Sequence, residues 1–167
     1  MEQNSREGTL RRALPVSVLL GLVAAVLGTA LHGRILYQED GMSGLPLGAL
    51  AALVLSGAAA VFAGVLYRRP VMSAVAGAVT YLVLGAFSMD IFGGPLIVTG
   101  TSSDQTLPIT VAGQIWLFGQ AVATLAAVVI SAMVLGRQRR ADARAAAVPA
   151  WQGGSSPSAQ GSGDSRP

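Results

Sequence analysis

Residues 46–92 read PLGALAALVLSGAAAVFAGVLYRRPVMSAVAGAVTYLVLGAFSMDIF, and they decide the fold. Two long apolar runs stand on either side of Arg68-Arg69, and Pro70 follows that pair directly. From Gly41 to Tyr67, and again from Pro70 to Met89, there is no Asp, Glu, Lys, Arg or His. A helix needs roughly 20 apolar residues to cross a hydrocarbon core of about 30 Å. Both runs are long enough. A connection as short as Arg68-Arg69-Pro70 makes them an antiparallel hairpin.

Working outward, two further stretches lack charge, one between Arg12 and His32 and one from Gln105 to Gly136. The chain therefore reads as an all-α membrane protein, a bundle of four transmembrane helices over about 15–31, 46–67, 70–92 and 108–135. A proline stands at each predicted start, as Pro15, Pro46, Pro70 and Pro108. Proline suits a first helical turn because its missing N–H would have had no intrahelical partner there. Three parts follow: a polar segment 1–14, the transmembrane domain 15–136, and a basic, then disordered, tail 137–167. Beyond Arg144 the tail is mostly Ala, Gly, Ser and Pro and has too little apolar surface to order itself.

Orientation comes from arginine. Arg6, Arg11 and Arg12 precede the first helix, Arg68 and Arg69 join the second to the third, and Arg137, Arg139, Arg140 and Arg144 follow the fourth. Only Arg34 falls on the opposite side. Basic residues near helix ends stay cytoplasmic. The expectation is a cell-membrane protein with both termini cytoplasmic, anchored by Arg11, Arg12, Arg68, Arg69, Arg137, Arg139 and Arg140. Helix 1 also reads as a signal peptide, with Arg11-Arg12 as its basic region and Gly28-Thr29-Ala30 at a cleavage site; a signal anchor fits equally. A mature N-terminus at Leu31 would mark cleavage.

Composition agrees. Of 167 residues, 52% are hydrophobic and 11% charged, against about a quarter charged in soluble domains. The pI near 10.2 invites a nucleic-acid reading, but the arginines sit where helix anchors belong, so no nucleic-acid partner is expected. The chain has no Cys and one His, which excludes disulfides, thiolate chemistry and a multi-His metal site. No G-x-S-x-G, H-E-x-x-H or G-x-x-x-x-G-K-[ST] motif occurs. Neither an enzyme nor a cofactor is expected.

Small residues recur every fourth position. They are Gly21, Ala25 and Thr29; Ser56, Ala60 and Gly64; Ser73 and Gly77; and Gly119, Ala123, Ala127 and Ser131. In lipid, such stripes bring backbones into van der Waals contact. They serve either packing within the bundle or a homodimer face. A stripe in every helix favours the former.

Depth selects the candidate site. With Trp116 at the outer interface, Gln120 lies about 6 Å below it. His32 and Asp90 reach similar levels, and Arg34 lies slightly beyond. These four form a candidate outward polar cluster, with an Arg34–Asp90 ion pair. The plainer reading has His32, Arg34 and Asp90 snorkelling to water and Gln120 bonding a neighbouring helix. At the membrane centre Tyr81 and Thr124 come to one depth, as if to bond each other. The outer loop 93–107 carries apolar Leu96-Ile97-Val98, too short to span but able to dip into the interface.

The layout of Ser88 to Gly94 and of Gly113-Gln114-Ile115-Trp116-Leu117-Phe118-Gly119 resembles that of small, functionally uncharacterised actinobacterial four-helix membrane proteins, over roughly residues 10–136. The resemblance implies the bundle and carries no activity or site residue. Small multidrug transporters of four helices are similar in size, but rely on an acidic residue in the first helix that is missing here. The leading expectation is a non-enzymatic accessory or scaffold subunit with a membrane-protein partner or a homo-oligomer. The alternative is a small oligomeric channel or transporter. The cytoplasmic arginines would also attract anionic lipid.

Overall fold

The computed structural model describes residues 2–37, 44–89, 94, 96–98, 100 and 107–147. Its helices are α1 (Glu2–His32), α2 (Leu47–Leu66), α3 (Pro70–Ser88) and α4 (Pro108–Ala147), and a two-stranded ribbon, β1 (Leu36–Tyr37) and β2 (Gly44–Leu45), lies between α1 and α2. All four helices are long and apolar enough to cross a bilayer.

Three boundaries differ from the sequence reading by more than one residue. α1 begins at Glu2, with Pro15 inside it rather than at its start. Pro15 removes only the bond to the Arg11 carbonyl, and the flanking Glu, Gln, Arg, Leu and Ala are strong helix formers that carry the helix past it. α3 stops at Ser88, not 92. Met89 is extended, and the Leu96 and Ile97 amides both bond the Phe87 carbonyl, so the returning loop takes an acceptor that a longer helix would use. Asp90 to Gly93 lie outside the described residues. α4 runs on to Ala147, where 135 was expected. Arginine and alanine favour helix, and the sequence from 137 to 147 holds neither Gly nor Pro to interrupt it. Residues 145–147, expected to be disordered, are thus helical, and the rest of that tail lies outside the described residues.

The α2–α3 turn explains how three residues reverse the chain. The Arg68 amide bonds the Val65 carbonyl at 3.0 Å and the Arg69 amide bonds the Gly64 carbonyl at 2.9 Å. This is a Schellman closure. It requires a left-handed residue, and Arg68 supplies it at φ 52. Glycine would fit that conformation more cheaply, so the sequence holds a charge here against the backbone's preference.

Around the bundle, α1 and α4 each border α2 and α3. α2 and α3 also touch across the short diagonal, while α1 and α4 have little contact. The interior is made of small side chains. One buried cluster joins Ala25, Ala49, Ala52 and Ala112 with Leu84, Ile97 and Trp116. The other joins Ala13, Ala60, Ala63, Ala76 and Ala127 with Met72. The large apolar side chains point outward, among them Val54 (72% exposed), Leu82 (71%), Val122 (68%) and Phe118 (64%). Exposed apolar surface of this extent is rare on a soluble monomer and suits lipid, where close packing of small residues replaces hydrophobic burial.

Candidate functional site

The stripes of small residues meet inside the bundle. Ser56, Ala60, Gly64, Ser73, Gly77, Ala127 and Ser131 are all buried. A Cβ added at Gly64 would stand 2.1 Å from the Ser73 hydroxyl and 2.7 Å from that of Ser131. A Cβ at Gly77 would stand 2.3 Å from Thr124 Cγ2. Missing side chains therefore bring hydroxyl-bearing neighbours within reach of other helices.

What those hydroxyls do is tie the helices together. Near the arginine-rich end, Ser73 of α3 and Ser131 of α4 share a hydrogen bond of 2.8 Å. Midway along, Thr80 of α3 donates to the Gly21 carbonyl of α1 at 3.0 Å. Toward the loop end, Ser56 of α2 donates to Gln120 Oε1 of α4 at 2.7 Å. Gln120 Nε2 then donates to Thr124 Oγ1 at 3.3 Å, and the Thr124 hydroxyl donates to the Gln120 carbonyl at 2.8 Å. Highest of all, the Trp116 indole N–H reaches Thr29 Oγ1 of α1 at 3.4 Å. Each helix has at least one such tie, and interhelical bonds in membranes average about 0.6 kcal/mol. Their effect is to fix register. Two buried hydroxyls, Ser17 and Thr110, have no partner among the described residues.

The expected cluster of His32, Arg34, Asp90 and Gln120 takes a different form. Gln120 is fully buried and committed to Ser56. His32 is buried in the last turn of α1, where its Nδ1 donates to the Thr29 carbonyl, so Nδ1 carries the proton. The Arg34 side chain is exposed. Its backbone does the joining: the amide bonds the Leu31 carbonyl and the carbonyl accepts from the Gly48 amide at 2.9 Å, fastening the end of α1 to the start of α2. None of these three side chains bonds another. Asp90, and with it the Arg34–Asp90 pair, lies outside the described residues.

Two other expectations change. Thr124 bonds Gln120 rather than Tyr81, whose ring is 40% exposed on the outside of α3. Four-residue spacing places Thr124 within its own helix's reach of Gln120, which counting depth alone does not reveal. Trp116, expected as an interfacial anchor, is fully buried. Gly28 makes the room, since a Cβ there would lie 2.4 Å from the indole ring.

At the loop end, a residue of the α3–α4 connection enters the bundle. Ile97 is fully buried in the upper cluster while Leu96 beside it is exposed, so of Leu96-Ile97-Val98 it is Ile97 that inserts into the bundle. Beside it the ribbon pairs Leu36 with Leu45 and Tyr37 with Gly44. It exposes Leu36, Tyr37 and Leu45 at the level where α1 ends. Neither the ribbon nor the serine ties were singled out in the sequence. In the sequence the serines stand out only as small residues, and their place on the same stripes as glycine is the available signal.

Comparison with protein families, with curated proteins and with solved structures finds no match. Function therefore rests on this geometry. If the Gln120 ties are structural, Ser56→Ala should cost about 1–2 kcal/mol, because it leaves the buried Gln120 carbonyl oxygen unpaired. Adding Gln120→Leu should recover most of that loss, as removal of both partners is nearly neutral. Unfolding midpoints of the two variants in detergent measure it.

Proposed function

We propose that this chain is a multi-pass protein of the cell membrane, with both termini cytoplasmic, that serves as a non-enzymatic accessory or scaffold subunit. One observation carries the reading: most of the polar side chains of the interior, Ser56, Ser73, Thr80, Gln120 and Ser131, hold helices to one another, while the unfilled space opens outward. One example is a groove of about 490 Å3 between α2 and α4, lined by Leu53, Gly57, Ala58, Ala123, Ala127 and Ile130. A Cβ at Gly57 would meet nothing within 4 Å, so a neighbouring helix could approach closely there. A bundle cross-tied by hydrogen bonds between its helices, with apolar outer grooves, suits a protein that works through its membrane-embedded faces.

A second reading, a small oligomeric channel or transporter, is favoured by the alignment of Gln120, Thr124 and Ser131 on one face of α4. That polar line is broken at Ala127, which is buried between Thr124 and Ser131. The two readings separate in one pair of measurements. Gentle detergent extraction should recover a stoichiometric membrane-protein partner, and the purified protein alone should give no ion or solute flux in proteoliposomes. Flux without a partner would favour the second reading.

A further inference from the structure

The outward side of α4 changes chemistry at Gly136. Before it, Val122, Val129 and Met133 point outward, at 68%, 49% and 57% exposed. After it, Arg137, Arg140 and Arg144 are all exposed. At about 100° per residue these three arginines fall within an arc of about 60°, with Met133 inside the same arc. Asp142 lies about 160° away from Arg140 on the opposite face, and Arg139 is at least about 100° away from each of the three. The helix therefore carries an apolar stripe that runs directly into a basic one, with its only nearby carboxylate facing elsewhere.

A groove of about 400 Å3 sits at the junction, lined by Ala132, Met133, Gly136, Arg137 and Arg140. Gly136 opens it, since a Cβ at that position would meet nothing within 4 Å. Among the described residues no carboxylate pairs with either arginine of the groove.

We propose that this groove holds one anionic phospholipid from the leaflet at the arginine-rich end. Its phosphate lies between the Arg137 and Arg140 guanidiniums, and its acyl chain follows Met133 and Val129. Charge complementarity argues for it, because guanidinium forks match phosphate oxygens in pairs. The apolar half of the groove argues for a lipid over free phosphate, which would leave Ala132 and Met133 uncovered. The inference rests on α4 crossing the bilayer and not on the scaffold role, so either can fail alone.

The test uses the full-length protein in detergent and native mass spectrometry. Phosphatidylglycerol is titrated against phosphatidylcholine with the same chains. The wild type should retain phosphatidylglycerol in preference. Arg137→Gln with Arg140→Gln should weaken it about 30-fold, the product of two arginines at about 1 kcal/mol each. Arg139→Gln removes equal charge from another face and should weaken it less than about twofold. Gly136→Leu keeps every charge, fills the groove and should abolish the preference. Circular dichroism confirms that each variant is folded. Equal effects of Arg139→Gln and Arg140→Gln would overturn the site in favour of a diffuse field. Wild-type affinity in Gly136→Leu, no preference in the wild type, or displacement of the lipid by millimolar inorganic phosphate would overturn it as well.

Discussion

Alanine in place of Trp116 should destabilise the bundle by about 3–5 kcal/mol, the range for truncating a buried aromatic side chain. The indole is fully buried in one cluster with Ala25, Ala49, Ala52, Leu84, Ile97 and Ala112. It also supplies the contact with α1, through Gly28 and Thr29, across a diagonal where the helices otherwise have little contact. Lipid solvates apolar side chains as well as the protein interior does, so the loss comes from the cavity and the broken contacts. This places the expected value toward the lower end of the range. A compensating change sharpens the test. Gly28→Leu alone should be severe, because its Cβ would stand 2.4 Å from the ring. Combined with Trp116→Ala it should refill part of the cavity, giving a double variant more stable than the sum of the single losses predicts. Thermal unfolding in detergent reads all three.

Leucine at Gly21 should have an effect of similar size on the other side of α1. Its Cβ would meet the Ala76 carbonyl oxygen at 2.5 Å and Val79 Cβ at 2.9 Å. A backbone oxygen cannot step aside as a flexible side chain can, so α1 and α3 would have to separate. Separation would also break the 3.0 Å bond from Thr80 to the Gly21 carbonyl. Overpacking costs about 1–3 kcal/mol and occasionally more, and the lost bond adds up to about 1.7 kcal/mol. The expected total is about 3 kcal/mol or more. Gly85→Leu is the control. Nothing lies within 4 Å of a Cβ there, and replacing a helical glycine should stabilise by up to about 1 kcal/mol. If Gly21→Leu and Gly85→Leu had equal unfolding midpoints, the α1–α3 packing would be wrong.

The contrast between those two glycines shows what the sequence discloses and what it withholds. Hydropathy and the Arg68-Arg69-Pro70 turn are local signals, and they are enough to mark four apolar helices and to pair α2 with α3. Four-residue spacing picks out Gly21, Ser56, Gly64 and Ser131 as packing positions, and the structure uses them inside the bundle. Whether a small residue faces a neighbour or lipid depends on the rotation of its helix, which composition this uniform does not fix. Gly85 and Gly21 look alike until α3 is placed.

Helix ends were legible only where a local stop was decisive. Pro70 at the start of α3 was such a case. Pro15 was not, because proline permits a start without enforcing one. The continuation of α4 to Ala147 depends on arginine and alanine propensity, which a reading by hydropathy passes over. The polar cluster was drawn from depth, and depth is blind to azimuth. His32 is satisfied within its own helix, Gln120 is tied to Ser56 of α2 and to Thr124, and Arg34 joins two helices through its backbone instead of its charge. The plainer reading of Gln120, a bond to a neighbouring helix, is what Ser56 provides.

The central claim is that four helices cross a bilayer with their arginine-rich ends in the cytoplasm, and the absence of cysteine permits a direct measurement of it. Single cysteines placed at Leu45, Gly100, Arg69 and Arg139 are treated in intact cells with a membrane-impermeant maleimide. The account predicts that Leu45→Cys and Gly100→Cys are labelled at once, and Arg69→Cys and Arg139→Cys only after lysis. Labelling of Arg69→Cys from outside the cell, or recovery of the protein in the soluble fraction, would contradict it.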